Sequence, residues 1–189
     1  MLYRSYPISP IITGEKGVGK TCLVETATRN AAGVIDIEVN PGDNEKVIVE
    51  SALRGVTNLQ FSFFQPGPNA RRVIFFYKLM TFGRTPIVVI NATERKLGQE
   101  YASLTGAVRT LTGVYQLRAI VDGSPNALDE SLFRTKRGLV MDVQPIPQEM
   151  IWKLPQFQQM FKLVDKASLG SVVWKVLGGV PANYLELQS

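Results

Sequence analysis

The sequence predicts an α/β fold, a parallel five-stranded sheet with helices on both faces, and three observations point that way. Short apolar runs alternate with helix-patterned segments from residue 10 to residue 146. The run Pro86-Ile87-Val88-Val89-Ile90 is apolar throughout, as a strand buried on both faces should be. A glycine-rich segment, GEKGVGKT at 14–21, stands between the first apolar run and the first helical pattern. In a parallel sheet that is the carboxyl end of a strand, where ligands sit.

In chain order, the expected strands cover 10–13, 33–41, 85–92, 117–124 and 138–146, with helices at 20–32, 44–56, 70–83, 99–116 and 127–134. The second strand lies between Gly33 and Pro41 and alternates apolar and polar residues, with Asp36 and Glu38 sharing one face, expected to meet solvent or a basic partner, the alternative being that they rescue catalysis. Val47, Ile48, Ala52 and Leu53 are expected along one side of the second helix, with Asp43 capping it or lying in its turn. Residues 65–69, QPGPN, form a turn-rich break. Right-handed crossovers follow from strictly alternating strands and helices. From Pro147 the pattern is helical with a break at Pro155, so the chain divides into a core over 1–146 and a partial, lid-like helical extension over 147–189.

Composition excludes several chemistries. The 189 residues are 45% hydrophobic and 20% charged, enough for one sizeable core and unlike a disordered chain. There is no histidine and a single cysteine, Cys22. A disulfide within the chain, a Cys/His zinc site and any histidine base are therefore excluded. Cys22 is expected as a small apolar residue packed under the glycine loop. No segment reaches the roughly 18 apolar residues that span a bilayer, and the first ten residues lack the apolar run of a signal peptide. A soluble intracellular protein without a membrane partner is the expectation. The net charge of +5 permits an anionic partner.

GEKGVGKT fits G-x-x-x-x-G-K-[ST] at every fixed position. Gly14, Gly17 and Gly19 permit dihedrals that a Cβ would forbid, so the amides from Gly14 through Glu15, Lys16, Gly17, Val18 and Gly19 to Cys22 can wrap an anion. The helix that follows adds the positive end of its dipole. Lys20 would reach the β and γ phosphates, and the Thr21 hydroxyl would ligate Mg²⁺. An Asn-Lys-x-Asp guanine signature is lacking, since Asn91-Ala92-Thr93-Glu94-Arg95-Lys96 shares only its Asn, so ATP is preferred to GTP.

Hydrolysis is harder to read. In P-loop ATPases the strand beside the phosphates ends in Asp or Asp-Glu, which orders the Mg²⁺ shell and polarises water. Here it ends in Asn91-Ala92, leaving Asn91 to accept from metal-bound water and Glu94 to supply a catalytic carboxylate if a turn brings it back. Lys16, Arg71, Arg72, Arg95 and Lys96 would have to share a surface for nucleic acid to be a partner.

These residues resemble the ATPase domains of the AAA+/STAND division of P-loop proteins, loosely over residues 8–188. GEKGVGKT is similar to their Walker A loop and IVVINA stands where Walker B would, with Asn91-Ala92 in place of Asp-Glu. VDGSP resembles the end of the sensor strand, which implies Asp122 or Ser124 near the γ-phosphate. SLFRTKRGLVMDVQPIP is similar to the segment leading into the fifth strand, which implies Arg134 or Arg137 as a phosphate-sensing residue. GGVPANYLEL resembles the Gly-x-Pro element of STAND helical regions, whose proline, here Pro181, packs near the adenine. The family's helix and Gly-Arg element before the first strand have no counterpart in the nine residues present, which implies a base pocket either open or completed by Leu2 and Tyr3. The resemblance implies a three-layer P-loop NTPase fold with strand order 5-1-4-3-2. It also implies ATP and Mg²⁺ as ligands and the behaviour of a nucleotide switch or slow ATPase. Alternatives are a hydrolysis-deficient interaction module or a nucleic-acid-associated ATPase, and a protein partner or self-association is compatible with each.

Overall fold

A computed structural model of the chain describes residues 9–40, 42–58, 69–92, 102–123, 128, 138–151, 153 and 179–180. One sheet is built from β1 (Ser9–Thr13), β2 (Val34–Val39), β3 (Ile87–Ala92), β4 (Arg118–Gly123) and β5 (Gly138–Asp142). With it run α1 (Lys20–Thr28), α2 (Glu45–Thr57), α3 (Ala70–Met80), α4 (Ala102–Gly113) and α5 (Gln148–Ile151). Neighbouring strands are parallel and their order is β2-β3-β4-β1-β5, the expected 5-1-4-3-2 read from the other edge.

That order dictates where the helices lie. The chain leaves β1 for the far edge at β2, then steps back through β3 to β4. Right-handed crossovers running in opposite directions must use opposite faces of the sheet. Accordingly α1 packs through Val24 on Ile12 and Val89, while α2, α3 and α4 cover Ile11, Ile35, Ile37, Val39, Val88, Ile90, Ala119 and Val121 on the other side. The reversal of direction falls between β1 and β4, and it is beyond the carboxyl ends of such a strand pair that open α/β sheets take their ligands.

Several elements end where local chemistry stops them. Helix α1 finishes at Thr28, short of the expected residue 32, as the Thr28 hydroxyl donates back to the Val24 carbonyl at 2.8 Å. The chain then turns through Gly33, whose φ of +74° suits a residue without Cβ. In α2 the side chain of Asn44 caps the helix by accepting from the Val47 amide at 3.0 Å, and Asp43 lies in the preceding turn, accepting from the Asn40 amide at 2.7 Å. Ile48, Ala52 and Val56 are buried, whereas Val47 is exposed, contrary to expectation. The four-residue series faces the sheet, and Val47 lies about 100° off it. Gly106 inside α4 leaves room for the Glu45 side chain, which accepts from the Thr110 hydroxyl at 2.7 Å. Asp36 and Glu38 face solvent, as their strand parity requires.

Helix α3 runs across the amino-terminal edge of the sheet. At its start the Arg71 guanidinium lies 5.7 Å from the centre of the Tyr115 ring, just ahead of β4. Near its end the Tyr77 hydroxyl donates to the Ala32 carbonyl at 2.5 Å, just ahead of β2. Six helical residues advance about 9 Å, close to the roughly 10 Å of two strand spacings. Tyr77→Phe removes this tether and is expected to cost about 1 kcal/mol, read as a lower denaturant midpoint with unchanged slope.

Among the described residues no helix is long and apolar enough to cross a membrane. The helix expected at 127–134, Leu128 apart, and most of the extension beyond 151 lie outside the described residues.

Candidate phosphate-binding site

The loop from Gly14 to Thr21 joins the carboxyl end of β1 to the first turn of α1. Three of its residues are glycines at positive φ: Gly14 at +147°, Gly17 at +79° and Gly19 at +98°. Gly19 is the N-cap of α1 in the left-handed region, a conformation strained for other residues. A side chain at Gly14 would strike the Val143 carbonyl and come within 3.2 Å of Val18 Cγ1, so the loop is clamped between the segment after β5 and its own buried Val18. Around these glycines Glu15 and Lys16 are exposed.

Lys20 folds back over the loop. Its ammonium donates to the carbonyls of Gly14 at 3.0 Å and Glu15 at 2.8 Å. The cation is thus held over the loop backbone, where an anion could take the place of those carbonyl oxygens.

The decisive contact is made by Thr21. Its hydroxyl donates to Asp122 Oδ2 at 2.9 Å, across 101 positions of sequence. Asp122 is 4% exposed and holds its place through register: it pairs with Ile12 on β1 and with Asn91 on β3. Strand parity turns Asp122 and Asn91 to the α1 face. The other oxygen of Asp122 and the Asn91 side-chain oxygen are buried without a hydrogen-bond partner among the described residues. Burial pushes the Asp122 carboxyl above the usual aspartate range, while the Thr21 hydrogen bond and the Lys20 charge pull it part of the way back.

A carboxylate therefore stands against the loop at the end of β4, one strand over from Asn91 on β3. Sequence reading places Asp122 near the nucleotide but looks to Asn91 for the metal; the structure sets the two side by side, with Asp122 touching Thr21. Thr13, which closes β1, goes unremarked in the sequence, yet its hydroxyl is buried and unpartnered among the described residues. Its only signal is a threonine ending an apolar strand.

Cys22 corrects an expectation. It is exposed rather than packed under the loop. Two residues before the buried Val24, it falls about 200° away around α1 and so faces out. Lys16 sits in the loop at the carboxyl end of the sheet, while Arg71 and Arg72 lie on α3 at the amino-terminal edge, so these cations do not form one surface. Glu94, Arg95, Lys96, Ser124, Arg134, Arg137 and Pro181 lie outside the described residues. Gly179, in the GGVPANYLEL segment, is buried and accepts from the Ile146 amide at 2.9 Å. Gly179 therefore lies against the chain that follows β5, three residues beyond Val143.

No protein-family model matches the chain, and no curated protein matches it.

Proposed function

We propose that the chain binds ATP and ADP with Mg²⁺ through residues 14–21 and works as an AAA+/STAND-like ATPase or nucleotide switch of slow turnover. The observation that carries this reading is the Thr21–Asp122 hydrogen bond beside the two unpartnered oxygens of Asp122 and Asn91. A buried carboxylate lacking half its partners suits a site where a hard divalent cation shares oxygen ligands with phosphates. Thr21, Asp122 and Asn91 would hold Mg²⁺, directly or through its waters, and the ion would neutralise phosphate charge there. Few protein carboxylates are needed, because Mg²⁺ keeps several waters and takes phosphate oxygens. The loop amides and the start of α1 bind the phosphate chain, and Lys20 spans it.

The second reading, binding without turnover, rests on Ala92. Beside Asn91 the end of β3 offers a methyl group where a water-polarising carboxylate would serve. Glu94 is the residue that would decide between them.

Titration calorimetry with Mg-ATP tests the site. Lys20→Ala is expected to weaken binding about tenfold or more; equal binding by the wild type and this variant would remove the assignment. Phosphate release from the same samples separates the two readings, since turnover no faster than that of Lys20→Ala selects the binding module.

A further inference from the structure

The excess charge of this protein has an address. Between Glu50 and Glu94 no acidic residue occurs, while Arg54, Arg71, Arg72, Lys78 and Arg84 fall in that span, five cations that equal the whole net charge of +5. The remainder of the chain is balanced. Most of the five belong to α3 or to the turns beside it, at the amino-terminal edge and opposite the phosphate loop.

The same helix is apolar on the wrong side. Val73, Ile74 and Tyr77 face the core, yet Phe75 and Leu79 are each 64% exposed on the opposite side, Met80 is equally exposed at the helix end, and Phe82 beyond the helix is 101% exposed. The outer face of α3 thus sets Phe75 and Leu79 beside Arg72, and large apolar side chains so exposed mark an interaction surface. Phe82 also holds φ at +53°, in the left-handed region that bulky residues avoid, although its side chain is fully exposed. It is the left-handed residue that closes α3, where the Gly83 amide donates to the Lys78 carbonyl at 2.6 Å, and this cap holds the Phe82 side chain out from the helix end. Next to the start of α3 a groove of about 750 Å³ is lined by Arg54, Asn69, Arg71 and Tyr115 among others, and Arg71 rests over the tyrosine ring.

We infer that this edge docks on an anionic membrane surface. Phe75, Leu79, Met80 and Phe82 enter the interfacial layer, the arginines and Lys78 lie at the depth of the headgroups, and a lipid phosphate sits between Arg54 and Arg71. Charge selects the occupant. A second copy meeting this face with its own would bring cation against cation. Nucleic acid would satisfy the arginines but not Leu79 and Met80, which do not stack on bases. Projecting apolar side chains flanked by cations are what an anionic bilayer interface recognises. The mode is surface docking, so it does not need the spanning helix that the described residues lack. It is independent of the nucleotide reading.

The test is co-sedimentation of the full chain with vesicles of phosphatidylcholine alone and of an equal mixture with phosphatidylserine. Binding to the mixture only, reversed by high salt, is expected. Arg71→Glu with Arg72→Glu, and separately Leu79→Ser with Phe82→Ser, should each weaken it about tenfold or more. All four residues are exposed, so thermal unfolding should be unchanged and misfolding is separable from lost docking. Absence of binding to either vesicle, or equal binding to both, overturns the proposal. So does a dimer in light scattering, or a nucleic-acid gel shift, that Leu79→Ser with Phe82→Ser abolishes.

Discussion

Asp122→Asn is expected to stabilise the ligand-free protein while cutting its Mg²⁺-dependent affinity for ATP by about 100-fold. The two effects share one cause. Burial holds the Asp122 carboxyl above its ordinary range, so the folded chain binds a proton there more tightly than the unfolded chain does. Stability from this group is fully present below the ordinary aspartate value near 4 and is lost as pH rises through the raised value. Asparagine removes that loss and can still accept from the Thr21 hydroxyl. What it cannot supply is the negative charge for a cation. Thermal unfolding at neutral and mildly acidic pH checks the first part: the advantage of the variant should shrink as the medium becomes acidic. Calorimetry with Mg-ATP and with ATP in chelator checks the second. A variant less stable at both pH values would show that the contacts of the carboxylate outweigh its desolvation.

Gly33→Ala is expected to cost about 3 kcal/mol, combining backbone strain with overpacking. For a chain of this size that lowers the melting temperature by about 6–12 °C. Gly33 holds φ at +74°, and a Cβ there would run into the Tyr77 ring, 2.7 Å from its Cε2 atom. Moving the ring breaks the hydrogen bond from Tyr77 to Ala32 and loosens α3 from the edge of the sheet. Gly83→Ala is the control. Its φ of +86° is similar but nothing lies within 4 Å of the added carbon, so only the backbone component remains, about 1 kcal/mol. Similar losses at both positions would assign the Gly33 effect to dihedral strain alone.

Much of the fold was legible because it rests on local pattern. Ile87–Ile90 is apolar because β3 lies in the sheet interior, and the alternation through Asp36 and Glu38 reflects β2 at its edge. The glycine loop was legible for a related reason: its dihedral needs are written in residue type. Contacts between distant segments were not. Asp122 meets Thr21 only because β4 inserts between β3 and β1; the family resemblance implies that strand order and an Asp122 close to the loop, but spacing along the chain carries no record of either. The outward face of α3 was hidden too. An apolar segment predicts burial, and nothing in Phe75, Leu79 or Met80 alone says that the sheet will cover only the other side. Cys22 misled for the opposite reason, since a small side chain beside a loop has no periodicity to betray its direction.

Helix α1 is anchored lightly. Val24 is its one buried side chain, and Thr21 supplies its tie to β4. Segments with few apolar anchors open most readily. The element that would grip a phosphate is thus among the least committed parts of the molecule. Part of any ligand's binding energy must then go into quieting that helix, so affinity and the rigidity of residues 20–28 would rise together, and a fast amide-exchange window there would close on loading.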